Sequence, residues 1–301
     1  MGSRAMAVAA AIVMALTTPS RAVAEGALIL YPQVREPYAK IYEDTLEGIT
    51  ETYQGERTML AISPGQRVEP GAVARAAPRL AVALGNDAAR ELSVLALEVP
   101  IITTASEGVA FKVRQRLAYY PDPDTLLTQL RRFQPGVRTL LLVAETDIDP
   151  YQHRVREVLG RAGLGLKVCV AGSLSEAALC YRQLLDQATP QDAIWILHGG
   201  KLLEPALLAN ILSTAWQRQL TVFSSNPDHV RRGALFSLYP DNRSAGRQLG
   251  DMMTACLAPG ACKRSETRYL RTMGIAFNER ASRHLGLTIS PEARQSADLI
   301  F

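Results

Sequence analysis

The chain has 301 residues, 48% of them hydrophobic and 21% charged, which is the balance of an ordinary globular protein long enough for two domains. Its net charge of +4, from 33 Lys and Arg against 29 Asp and Glu, is spread without a basic block, so nucleic-acid binding has no support. Arg outnumbers Lys, a bias of composition more than a sign of phosphate recognition.

The first residues read as an export signal. Arg4 gives a positive start, Ala5 to Leu16 an apolar run, and Ala22-Val23-Ala24 a small-x-small cleavage site. Cleavage is expected after Ala24, removing residues 1–24 and leaving a mature chain in the bacterial periplasm; an uncleaved anchor is the alternative. The apolar run is shorter than the roughly 20 residues that span a bilayer, and no Cys near the cleavage site invites a lipid anchor.

Beyond the signal, apolar runs alternate with amphipathic stretches. Strands are expected at Ala27 to Tyr31, Thr58 to Ile62, Leu80 to Leu84, Val99 to Thr103 and Arg116 to Tyr120. Between them fall helices at Tyr38 to Tyr53, Gly71 to Ala77 and Ala88 to Leu97, the last capped by Gly85-Asn86-Asp87. A helix at Asp122 to Phe133 leads to a second round, with strands at Thr139 to Val143, Leu166 to Val170, Ala193 to Leu197, Thr221 to Ser224 and Ala234 to Leu238. Its helices are Tyr151 to Ala162, Ser175 to Gln187, Glu204 to Gln217, a short turn at Asp228 to Arg232, and Ser244 to Leu257. A strand at Tyr269 to Ala276 follows. This βαβ alternation implies an α/β protein of two Rossmann-like lobes with parallel sheets around a cleft. Residues 25–133 are expected to form most of lobe one, 134–260 most of lobe two, and 261–301 a C-terminal crossover returning to lobe one. The chain is expected to cross between lobes at the Asp122 to Phe133 helix and the Tyr269 to Ala276 strand.

The chain has four cysteines. Cys256 and Cys262 flank the turn-forming Leu-Ala-Pro-Gly-Ala, and an oxidising compartment favours a disulfide between them. Cys169 and Cys180 either bridge a strand to the next helix or stay as buried thiols. No Cys-x-x-Cys or His-x-x-x-His spacing calls for a metal, and nothing calls for a cofactor.

The C-terminal segment from Phe277 to Ile289 contains Asn278, Ala281 and Ser282, then Leu285-Gly286-Leu287-Thr288-Ile289. Upstream stand Phe133-Gln134-Pro135-Gly136-Val137, Asp192-Ala193-Ile194, Val222-Phe223-Ser224, Gly233-Ala234-Leu235 and Gly246-Arg247-Gln248-Leu249-Gly250. Together these resemble the periplasmic substrate-binding proteins of ABC-type uptake systems, in particular the tryptophan and amino-acid type. The resemblance implies a type I periplasmic-binding fold, a monomer, a small-molecule ligand and an inner-membrane transporter permease as partner. The first lobe departs from the pattern. Tyr31-Pro32-Gln33-Val34-Arg35 stands where such proteins carry His-Pro-Ala-Leu-Asp, and Thr103-Thr104-Ala105-Ser106-Glu107 where they carry Asp-Pro. The ligand is therefore open between an amino-acid-like molecule and a hydrophobic cargo such as a sterol or other lipid.

Ligands of open α/β sheets bind at the carboxyl ends of the strands. In lobe one that rule selects Tyr31, Gln33, Gly85, Asn86 and Thr104, with Asp87, Ser106 and Glu107 beside them. In lobe two it selects Asp147, Tyr151, His198, Gly199, Lys201, Ser225, Asn226, Tyr239 and Asp241, with Glu145, Gly200 and Asn242 nearby. Asn86 also serves as a plain helix cap, and His198-Gly199-Gly200-Lys201 as a glycine turn with a solvated Lys. That turn lacks P-loop spacing. Tyr31, Tyr38, Tyr119, Tyr120, Tyr151 and Tyr239 weight these loops toward flat apolar area with a polar tip. No Gly-x-Ser-x-Gly elbow is present, so an enzyme is not expected. The expected function is solute binding, with a hydrophobic-cargo carrier or a ligand-free interaction module as alternatives.

Overall fold

The computed structural model describes residues 26–63, 65–104, 113–145, 149–197 and 202–301. Its chain runs β1 (Ala27–Pro32), α1 (Ala39–Thr52), β2 (Arg57–Ile62), α2 (Pro70–Ala76), β3 (Leu80–Leu84), α3 (Gly85–Leu95), β4 (Ile101–Thr104) and β5 (Gln115–Pro121). Next come α4 (Pro123–Phe133), β6 (Thr139–Ala144), α5 (Pro150–Arg161), β7 (Gly165–Val170), α6 (Leu174–Gln187), β8 (Asp192–Ile196), α7 (Pro205–Gln217), β9 (Thr221–Ser224), α8 (Pro227–Arg231) and β10 (Phe236–Pro240). The chain closes with α9 (Asn242–Leu257), β11 (Glu266–Leu270), β12 (Met273–Phe277), α10 (Glu279–His284), α11 (Pro291–Gln295) and β13 (Leu299–Ile300).

These strands form two sheets. One has six strands in the order β11-β5-β4-β3-β1-β2, all parallel. The other has seven in the order β13-β12-β10-β9-β8-β6-β7, parallel except where β12 runs against β10. Continuous apolar runs make the inner strands: β3 is buried at every position, as expected where helices cover both faces. The second lobe's core is an aromatic stack, with Trp195 on Phe223, Phe223 on Phe236 and Phe236 on Phe133 at centroid distances of 5.7, 4.9 and 5.2 Å.

Three crossings join the lobes, between β5 and α4, between β10 and α9, and between β11 and β12. The sequence reading placed one continuous strand at Tyr269 to Ala276. The structure breaks that stretch after Leu270, with β11 in the first sheet and β12 in the second. It also puts only β11 of residues 261–301 in the first sheet, while β12 and β13 complete the second. The second crossing, at Pro240 and Asp241, carries α9 onto the first lobe, although its sequence sits in the stretch assigned to lobe two. Periodicity marks a strand or a helix, but says nothing of which neighbour it pairs with.

Small residues bind α9 to α1. A Cβ on Gly48 would overlap the carbonyl of Arg243, and one on Gly246 the carbonyl of Thr45, so the two backbones touch. The Thr52 hydroxyl donates to the Arg247 carbonyl at 2.9 Å, and Glu51 accepts from Arg247 at 3.1 Å. Helix α3 begins at Gly85 itself, without the expected polar cap: Leu84 is the N-cap, and the positive φ of 84° at Gly85 turns strand directly into helix. Both cysteine pairs are disulfides. Cys169 of β7 joins Cys180 of α6 with Cα atoms 5.8 Å apart, and Cys256 joins Cys262 across the end of α9 at 5.1 Å.

Candidate functional site

Each lobe turns the carboxyl ends of its parallel strands toward the other, so the space between them is walled by two kinds of surface. A cavity of about 500 Å3 lies there, lined by residues of both lobes. Ile41 and Tyr42 come from the first turns of α1 and Tyr119 from β5; these are the first lobe's wall. The second lobe offers Leu197 after β8, Ser224 to Pro227 and His229 around the start of α8, and Tyr239 and Pro240 at the end of β10. Asn242 opens α9 at the crossing.

The tyrosines are braced from behind. A Cβ at Gly85 would sit 3.1 Å from the Tyr42 hydroxyl, so glycine there leaves room for the phenol. The Tyr119 phenol is buried beside Thr45 and Thr104; burial raises its pKa, and the two hydroxyls pull it partly back. Tyr42 is raised by burial first, then by Tyr119 and Asp87. Tyr239 is raised by burial, with Asp298 and Asp241 adding to it. Its ring lies flat over Gly274, its partner on β12, where any side chain would overlap it.

The polar side of the wall is a tight turn. Asn226 caps α8 by accepting from the Asp228 N–H at 2.9 Å, and its own N–H donates to Ser224 Oγ at 3.0 Å. Ser224 Oγ lies 2.7 Å from His229 Nδ1. Burial and the nearby Arg232 hold the His229 pKa below its ordinary value, against a weaker pull from Asp228, so the imidazole is neutral. Ser224 is only 1% exposed, and its oxygen is already engaged twice, which makes the pair a wall and a poor nucleophile and base. Among the described lining residues there is no carboxylate, Lys or Arg. No described group of His, Cys, Asp or Glu could hold a metal ion, and no described helix is long and apolar enough to cross a membrane.

Of the sequence candidates, Ser225, Asn226 and Tyr239 line this cavity. Thr104 and Gly85 stand behind Tyr119 and Tyr42. Tyr31 is half-buried against the first core, Gln33 accepts from the Ser63 hydroxyl at 2.8 Å, and Asn86 is exposed on the first turn of α3; none of these three lines the cavity. Asp241 caps α9, accepting from the Ser244 N–H at 3.0 Å and from its hydroxyl at 2.7 Å. Tyr151 is packed at the junction of the lobes and does not line the cavity. It is 2% exposed, stacks on Tyr120 at 4.7 Å and packs on Tyr269 at 4.8 Å, and its hydroxyl donates to the Pro121 carbonyl at 2.8 Å, beside the first crossing. Asp147, His198, Gly199 and Lys201 lie outside the described residues, as do residues 1–24. Sequence reasoning passed over Tyr42, Ser224 and His229. Tyr42 has Leu46 four residues on, so it reads as a core stripe, and His229 reads as part of a turn.

No family model matches the chain, and no curated protein matches it in sequence. Solved structures do. A ligand-free, open substrate-binding protein with adhesive properties from Clostridium difficile matches at TM-score 0.61 and 13% identity, over 92% of this chain and 99% of that one. An ABC domain in complex with L-Trp from Streptococcus pneumonia matches at TM-score 0.55 and 16% identity, again over 92% and 99%. A conserved domain protein from Vibrio cholerae matches at TM-score 0.53 and 16% identity, over 92% and 100%. With two parallel-sheeted lobes and three crossings, this chain has the type I periplasmic-binding fold.

Proposed function

We propose that the protein is an exported solute-binding protein that closes its two lobes on a small molecule and, as a monomer, passes it to an inner-membrane transporter. The observation that carries this reading is the cavity itself: about 500 Å3, walled by both lobes at the carboxyl ends of their strands. Contact with both walls at once favours the closed form by population shift. A module that had lost its ligand would fill this space with side chains, and a hydrolase would need a free serine beside its base, whereas the described Ser224–His229 pair is buried and already engaged. The apolar run at the N-terminus and the two disulfides support export to an oxidising compartment.

The lining narrows the ligand. Three tyrosines, Ile41 and Leu197 suit an aromatic or apolar body, and the hydroxyl, amide and neutral imidazole groups suit neutral hydrogen-bonding partners. An aromatic solute fits the tyrosine wall, and the Streptococcus neighbour is described in complex with L-Trp. The described lining, which carries no charged side chain, favours a second reading, a sterol or other lipid cargo.

Native mass spectrometry of protein purified gently from its own cells tests both, with extraction of whatever is bound and solution scattering before and after it is added back. An aromatic or lipidic mass that compacts the protein is expected. A multiply charged ligand, or no compaction with any extract, would overturn the proposal.

A further inference from the structure

A second concavity lies on the second lobe, along α7 and beside the end of α8. It shares no lining residue with the cleft cavity. Its volume is about 610 Å3, and it is lined by Leu212, Trp216, Arg231, Arg232, Arg280 and Phe301, among others.

The cations are held in place by rings. Arg280 sits 5.1 Å over the face of Trp216, whose ring also stacks on His284 at 3.7 Å and 5°. His284 Nε2 is 2.8 Å from the Trp216 carbonyl, which fixes the imidazole in turn. Arg231 sits 5.3 Å over Phe301. Arg232 donates to the Pro205 carbonyl at 3.2 Å. Among the described residues no acidic side chain lies within ion-pair distance of Arg232 or Arg280, and the lining contains none; Arg231 has one, Asp228, at 3.5 Å, and the main-chain oxygen of Phe301 accepts from the Glu279 N–H at 2.8 Å. A guanidinium laid flat on an aromatic ring keeps its N–H edge free, and that edge matches a carboxylate in two parallel hydrogen bonds.

We propose that this cavity binds a small organic carboxylate, its charge held by Arg280 and Arg232 with Arg231 beside them, and its apolar body laid on Leu212 and the aromatic rings. Arg280 and Arg232, which have no acidic side chain within ion-pair distance among the described residues, set the sign of the ligand, with Arg231 beside them. The apolar floor, in a cavity of drug-ligand size, sets its form and disfavours a bare inorganic anion. The site is separate from the cleft, whose described lining is uncharged.

The chain has two tryptophans, and only Trp216 lines this cavity, Trp195 being buried in the second core. The test is a benzoate titration of the full mature chain, read by the two indole N–H resonances and assigned with Trp216→Phe. A saturable shift of the Trp216 resonance with Kd of about 1 mM or tighter is expected, weakened about tenfold by Arg280→Gln and unaltered by Arg75→Gln on the first lobe. Arg231→Gln serves as the second variant should Arg280→Gln fail to fold. A linear shift, the same shift from sodium chloride at equal ionic strength, or full affinity in both Arg variants overturns the site. Inorganic phosphate binding as tightly as benzoate overturns the apolar part of the assignment.

Discussion

The two walls of the cleft are built from different materials. The first lobe presents Tyr42 and Tyr119 from a helix and a strand, each phenol braced by a glycine or by buried hydroxyls. The second, besides Leu197 and Tyr239, presents Ser224, Ser225, Asn226 and His229 from one turn and a five-residue helix, with Ser224, Asn226 and His229 linked by hydrogen bonds. The first gives area and the second gives direction. Apolar contact scales with buried surface and tolerates many shapes, whereas neutral hydrogen bonds add little net energy but penalise a ligand that leaves them unmade. On this division the first lobe sets how tightly a solute is held, and the second sets which solute is held.

The sharpest way to break the first wall is from outside the cleft. Gly48→Ala places a methyl against backbone of Arg243 and Arg247, which cannot rotate away, so α1 and α9 must separate. We expect a loss of about 3 kcal/mol in urea denaturation, together with weaker ligand binding, because α1 carries Ile41 and Tyr42. Unchanged stability would mean that the helices slide without cost, and the first wall would then not be rigid.

A direct comparison of the walls has a smaller effect. Tyr42→Ala removes most of an aromatic side chain and should weaken binding of the extracted ligand about 30-fold, equivalent to about 2 kcal/mol. Ser225→Ala removes one neutral hydrogen-bonding group and should cost about fivefold, or about 1 kcal/mol. Calorimetry on both variants decides between the walls. The reverse order would make the second lobe the source of affinity.

The same contrast explains what could be read from the sequence. The rule that strands point their carboxyl ends at a ligand found Ser225, Asn226 and Tyr239, because those residues follow a strand directly. It missed Tyr42, which stands a turn into α1 and looks, by its i to i+4 spacing to Leu46, like part of the buried face. It selected Tyr151, whose neighbours Tyr120, Tyr269 and Pro121 are distant in sequence and meet only where the chain crosses between lobes. The alternation of strands and helices was legible because period and burial are local. The split of Tyr269 to Ala276 into β11 and β12 was not: only the two-residue bend Arg271-Thr272 interrupts the run, and a polar pair inside a strand is ordinary, so pairing decides. The close approach of α9 to α1 was written in Gly48, Gly246 and Gly250, yet small residues in a helix announce a near neighbour without naming it.

The smallest predicted effect tests whether the polar wall is dry. Burial holds the His229 pKa below its ordinary value in the folded protein, whereas in the unfolded chain it titrates near 6.5. As pH falls below about 6.5 the unfolded chain takes up a proton that the folded chain refuses, so stability falls until the folded pKa is reached. His229→Asn keeps an acceptor for the Ser224 hydroxyl and removes the titration. The other histidines are present in both proteins, so the difference between their Tm profiles from pH 7.5 to 5 isolates this one group. We expect the wild-type Tm to fall more steeply over the acid half of that range, with the variant's profile flatter. Parallel profiles would mean that water already reaches the imidazole, and that the second wall is as wet as a surface turn; its hydrogen bonds would then discriminate little, and selectivity would have to come from the tyrosines.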